Sequence, residues 1–168
     1  MRDVMGHIFR FISVLLIQVL LIDQMPLSAY IRPAFYIYFL LCLPVSFPRW
    51  IELLVGFVVG ITMDCFSNTL GLHAFCCVLT TYLRPLLIQL FVSEEDRKAG
   101  LTSSLSLFGW NTYLKLSSIL VVIHHCVLFS LESFSLTGWW QTIIRIVVSS
   151  IICLLLILMF EAIKKNRQ

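Results

Sequence analysis

Four histidines, six cysteines and a few intramembrane charges are the side chains with which this chain could do chemistry. His124-His125 invites a metal reading. Adjacent residues on a helix point about 100° apart, so the two rings do not grip one ion together. No carboxylate or cysteine follows either at helical spacing, and packed histidines are the expectation. Cys42, Cys65, Cys76, Cys77, Cys126 and Cys153 contain no C-x-x-C and lie in or beside apolar runs. They read as small packing residues, with no metal and no cofactor. Ser67 and His73 share a turn but lack a nucleophile motif. There is no G-x-S-x-G, no H-E-x-x-H and no P-loop. The chain is therefore expected to act by binding, not as an enzyme.

The elements that carry these residues are set by composition. Of 168 residues, 60% are apolar and 12% charged, and mean hydropathy is +0.96. Soluble domains are about 45–50% apolar and about 25% charged, so an ordinary soluble domain is excluded, and disorder with it. A net charge of +3 gives no reason to expect a nucleic-acid partner. A membrane span needs about 20 apolar residues. The sequence predicts one all-α integral membrane domain, a bundle of six transmembrane helices over about 5–22, 31–47, 51–64, 72–92, 112–131 and 138–163. Pro33 and Pro44 bracket the second and predict a kink. A cleaved leader ending near Leu27-Ser28-Ala29 is disfavoured by Pro26 and by the apolar chain beyond it.

Orientation follows the basic residues. With the N-terminus inside, Arg2, Arg10, Arg49, Arg97, Lys98, Lys164, Lys165 and Arg167 all fall at inner ends, and Arg32 alone falls outside. Both termini are expected in the cytoplasm. The charged run from Glu94 to Lys98 reads as a solvated inner loop, and Lys115 as a snorkelling residue. Trp50, Trp139 and Trp140 take interfacial places.

Charges inside the bilayer are costly and face the bundle interior. At about 1.5 Å per residue, Asp64 and Arg145 reach similar depths in the outer half. They are expected to approach each other, with Glu132 the competing partner for Arg145. His73, Cys77, Thr80 and Arg84 fall on one face of the fourth span, and Thr142, Arg145, Ser149 and Cys153 on one face of the sixth. Both faces should point inward. Arg84 should snorkel or hold carbonyls freed by Pro85. Gly56 and Gly60 form a G-x-x-x-G, which lets helices approach closely in lipid, within the bundle or against a partner.

One stretch carries more. From Leu54 to Phe75 the chain reads G-x-x-x-G-x-x-x-D-x-F-S-x-x-x-G-x-H-A, built on Gly56, Gly60, Asp64, Ser67, Gly71 and His73, with Leu83-Arg84-Pro85 beyond it. This resembles the MreD family of bacterial rod shape-determining membrane proteins, most of all versions from the Bacteroidetes group. Gln18 in the first span fits as well. The polar residues Ser67, Asn68 and Thr69, with Gly71, are expected to form a re-entrant-like outer corner buried in protein. The resemblance implies a bundle similar to the substrate-binding subunits of energy-coupling factor transporters. It also implies a non-catalytic scaffold of the cell-elongation complex in the bacterial cytoplasmic (inner) membrane. An MreC-like single-span protein would be the direct partner. Through it would come the MreB-like actin homologue and the peptidoglycan synthase RodA with its penicillin-binding partner. The alternative is a substrate-binding subunit of a vitamin-type transporter.

Overall fold

The computed structural model describes residues 2–24, 31–92, 109–133 and 138–165. The run from Glu94 to Lys98 and the segment from Leu27 to Ala29 lie outside the described residues. Six α-helices are present among those described: α1 (Arg2–Leu16), α2 (Ile37–Leu41), α3 (Arg49–Ser67), α4 (Leu72–Phe91), α5 (Trp110–Glu132) and α6 (Trp139–Lys165). Four of them, α3 to α6, are long and apolar enough to cross a membrane. The chain is thus an α-helical membrane protein.

These helices pack in sequence, α3 on α4, α4 on α5 and α5 on α6. Their outward faces carry exposed Phe75, Leu90, Trp139, Trp140 and Leu155. That distribution suits lipid, which solvates such side chains and leaves close packing and hydrogen bonds to hold the helices together. The α1 helix widens into a π-helical stretch, Ile17–Ile22, closed by Asp23 N–H donating to Gln18 O at 2.9 Å. The five-residue step re-aims Gln18 inward, where it is buried.

The second expected span is not one continuous helix. Within 31–47 only α2 is helical, and Pro33 to Pro44 is buried throughout. Pro33 and Pro44 each interrupt the backbone ladder. The freed polar groups find partners inside the protein, as backbone at membrane depth must. Pro33 O accepts from Gln18 at 3.2 Å, Ala34 N–H donates to His125 Nε2 at 3.2 Å, and Leu43 O accepts from Arg84. The segment is the bundle's central packing element, supplying Phe35, Ile37, Leu40 and Leu41 to the core.

The third span also differs, running on to Ser67 rather than ending at Asp64. Asn68, in the left-handed region at φ 53°, stops it, and Gly71 at φ 80° turns the chain into α4. The corner they form is exposed, with Leu70 fully so, and is not buried in protein.

Gly56 and Gly60 serve the bundle itself. A Cβ on Gly60 would sit 2.6 Å from both Ala74 N and His73 O, and one on Gly56 would sit 2.6 Å from Thr81 Oγ1. Real Cβ atoms do not come that near, so the α3–α4 contact requires both glycines. The G-x-x-x-G lies against α4 and is not left free for another protein's helix.

Candidate functional site

The repeat of four that places Gly56 and Gly60 continues to Asp64, one turn further along the same face of α3. Its carboxylate reaches the first turn of α4, accepting from His73 N–H at 3.0 Å, Ala74 N–H at 2.9 Å and the Thr69 hydroxyl at 2.5 Å. His73 and Ala74 are the second and third residues of α4, whose N-cap, Gly71, has no side chain to offer. A capping side chain ordinarily serves those N–H groups from within its own loop. Here a carboxylate from the preceding helix does so, and its charge complements the positive end of α4.

That geometry overturns the expected Asp64–Arg145 contact. Asp64 is committed to backbone. Arg145 instead donates to Glu132 at 2.9 Å and lies 4.7 Å over the Phe129 ring centre. Glu132 also meets Arg32 at 3.6 Å. Equal depth did not imply equal direction around the helix axis.

A chain of polar side chains runs inward from His73. Tyr36 OH lies 2.8 Å from both His73 Nδ1 and His124 Nε2, and His124 Nδ1 lies 2.9 Å from Thr80 Oγ1. Thr80 in turn donates to Cys76 O at 2.7 Å. A hydroxyl has one proton to give, so with both rings neutral one order satisfies every contact. With Thr80 donating to Cys76 O, it accepts from His124 Nδ1–H. His124 Nε2 then accepts from Tyr36, and Tyr36 accepts from His73 Nδ1–H. His125 is separately satisfied, taking Ala34 N–H on Nε2 and facing Val121 O with Nδ1 at 2.8 Å. Among the described residues no group of three His, Cys, Asp or Glu is placed to hold a metal. The cysteines among them are free thiols. Ser67 and His73 both border one cavity, but no hydrogen bond joins them among the described residues.

The inward faces hold in part as read. Cys77, Thr80 and Arg84 are buried on α4, and Ser149 and Cys153 on α6, while His73, Thr142 and Arg145 are half-buried. Arg84 neither snorkels nor serves α4 carbonyls. It is 1% exposed and binds Glu52 of α3, with a second donor to Leu43 O. Its Nε has no acceptor. Glu52 is 3% exposed, and sequence reasoning passed over it because a carboxylate three residues into a helix resembles an interfacial one. An arginine fixed at depth should have prompted a search for that partner. Tyr36 was passed over too, and an aromatic residue in an apolar run gives no signal of its own.

Outside the spans, Asp23 accepts from Gln18 Nε2 at 2.7 Å. Partial burial raises its carboxyl above the ordinary carboxylate value, against the opposing pull of that hydrogen bond.

No part of this arrangement sets a nucleophile against a base and an open reaction site. What it does is fasten helices: Asp64 joins α3 to α4, Tyr36 joins the central segment to α4 and α5, and Arg84 joins α4 to α3 and the central segment. No curated protein and no solved structure matches the chain. The family described as rod shape-determining protein MreD matches residues 2–163, the span that holds every one of these fastenings. The chain belongs to the MreD family of rod shape-determining membrane proteins.

Proposed function

We propose that the protein is a non-catalytic scaffold of the cell-elongation complex in the bacterial inner membrane, holding an MreC-like single-span partner. Through that partner it supports organised peptidoglycan synthesis alongside MreB-like and RodA-type components. The family match over 2–163 carries this reading. The geometry agrees with it, because the buried polar groups are spent on joining helices.

The proposal includes six crossings with both termini in the cytoplasm. The segment 31–47 counts as the second crossing in spite of its short helix. Its Pro33 end meets Gln18, and its Leu43 end meets Arg84, about 10 Å from the end of α4. The basic residues then fall as the positive-inside rule requires. A likeness to energy-coupling factor subunits belongs to the same proposal and rests on the family resemblance.

With Gly56 and Gly60 occupied by α4, the partner must use another face of the bundle. Depletion of the protein from its own rod-shaped host is expected to give round cells, and the wild-type gene to restore rods. Depleted cells that keep their shape would contradict the proposal.

A further inference from the structure

A cavity of about 330 Å³ opens between the start of α3, the last turns of α4 and the chain at Val45 and Phe47, and the scaffold reading makes no use of it. Pockets for small ligands begin near that size. Glu52 borders it and is 3% exposed. Its Oε1 is taken by Arg84, and Oε2 has no hydrogen-bond partner among the described residues. That oxygen is not sealed in the way Arg84 Nε is. A nearly buried carboxylate oxygen beside open space asks for a donor.

Arg49 and Gln89 are the other polar walls, and both are exposed. Arg49 precedes Glu52 by three residues on α3, a step that sets two side chains on one helix face about 5–6 Å apart. It forms no ion pair with Glu52 or with any other described residue. Counted with Arg84, two guanidiniums stand against one carboxylate, an excess of one positive charge. The remaining walls, Val45, Phe47, Pro85 and Ile88, are apolar. Exposed Trp50, beside Arg49, marks this level as the membrane–water boundary.

These features select a ligand. The surplus charge favours an anion and disfavours an ammonium or a metal ion. A bare phosphate would answer Arg49 and leave Glu52 Oε2 unmet. A phosphodiester that also carries a hydroxyl answers both, and the apolar walls suit the acyl end of a lipid. Basic pockets between membrane helices bind anionic headgroups in this way.

We propose that this cavity binds the headgroup of an anionic phospholipid, with its phosphate on Arg49 and Gln89 and a headgroup hydroxyl donating to Glu52 Oε2, as phosphatidylglycerol would provide.

The test uses the full chain in phosphatidylcholine nanodiscs that hold equal shares of phosphatidylglycerol and phosphatidylmethanol. The second lipid has the same charge and no headgroup hydroxyl. Retained lipid is read by native mass spectrometry. Phosphatidylglycerol should be retained about tenfold over phosphatidylmethanol, the worth of one hydrogen bond to a charged group. Arg49→Gln should lower that retention about tenfold, the worth of the phosphate contact. Arg49 is exposed, so this variant keeps the fold. Lys115→Gln removes an exposed cation that does not border the cavity, and should leave retention unchanged. Equal retention of the two lipids, an Arg49→Gln variant that retains like the wild type, or an equal loss in Lys115→Gln overturns the proposal. So does saturable binding of free glycerol phosphate in pure phosphatidylcholine nanodiscs, which would assign the cavity to a soluble ligand. The scaffold reading is tested by partner capture, so the failure of either leaves the other standing.

Discussion

At one end of the bundle Arg84 and Glu52 form a buried ion pair beside a cavity of about 330 Å³. At the other, Gln18 and Asp23 border a cavity of about 360 Å³ whose wall also carries Arg32 and Glu132. Both ends bury polar groups, yet they differ in what they leave unmet. In the Arg84–Glu52 contact the two charges cancel, and the guanidinium uses two donors on Glu52 and Leu43 O while its Nε has no acceptor. The Gln18 end folds with a buried carbonyl that lacks a donor, which a packing role alone does not explain. Buried polarity by itself therefore does not mark a ligand site.

The comparison can be broken most severely at the ion-paired end. Glu52→Leu strands a buried guanidinium, and about 3–5 kcal/mol of stability should be lost. Thermal unfolding in detergent reads this directly. The double variant Glu52→Leu with Arg84→Met should recover most of the loss, because a well-packed apolar pair replaces a buried ion pair at little cost. A double variant no more stable than the single one would show that Arg84 matters beyond its charge.

Gly60→Leu comes next. The added side chain meets the backbone of Ala74 and His73, which cannot step aside. Overpacking of this kind costs about 1–3 kcal/mol. The loss should appear in the isolated protein, before any partner is added. Unchanged melting with weakened partner capture would place the glycines at an interface after all.

Asp64→Ala removes the acceptor for two backbone N–H groups at the start of α4. Losing a helix cap costs about 0.5–2 kcal/mol. Amide exchange at His73 and Ala74 should speed up more than exchange in α5. The smallest effect belongs to Arg145→Gln. Its pair with Glu132 lies towards the surface, and such pairs contribute about 0–1 kcal/mol. A loss as large as that of Glu52→Leu would return Arg145 to the centre of the account.

Spacing made much of this legible in the sequence. The step of four from Gly56 to Gly60 marked a close helix contact without saying which helix fills it, and the same periodicity put Cys77, Thr80 and Arg84 inside. The spans of α4, α5 and α6 were set by apolar length. What stayed hidden depended on directions that one-dimensional spacing does not encode. Depth along an axis brought Asp64 and Arg145 to one level but not to one side. The run 31–47 is apolar enough to resemble a continuous lipid-facing helix, because a broken, buried segment and a regular span share a composition. Its two prolines were the warning that the helix would be short. The tyrosine that links His73 to His124 became visible only when three elements met.

The account's central claim is that this chain acts by holding another membrane protein. The most direct measurement is capture in mild detergent of an MreC-like protein from the same organism, co-expressed with the full chain. A stable one-complex elution, kept by Arg145→Gln and lost with the fold in Glu52→Leu, is the predicted result. Separate elution of the two folded proteins, in cells whose rod shape still depends on this chain, would contradict it.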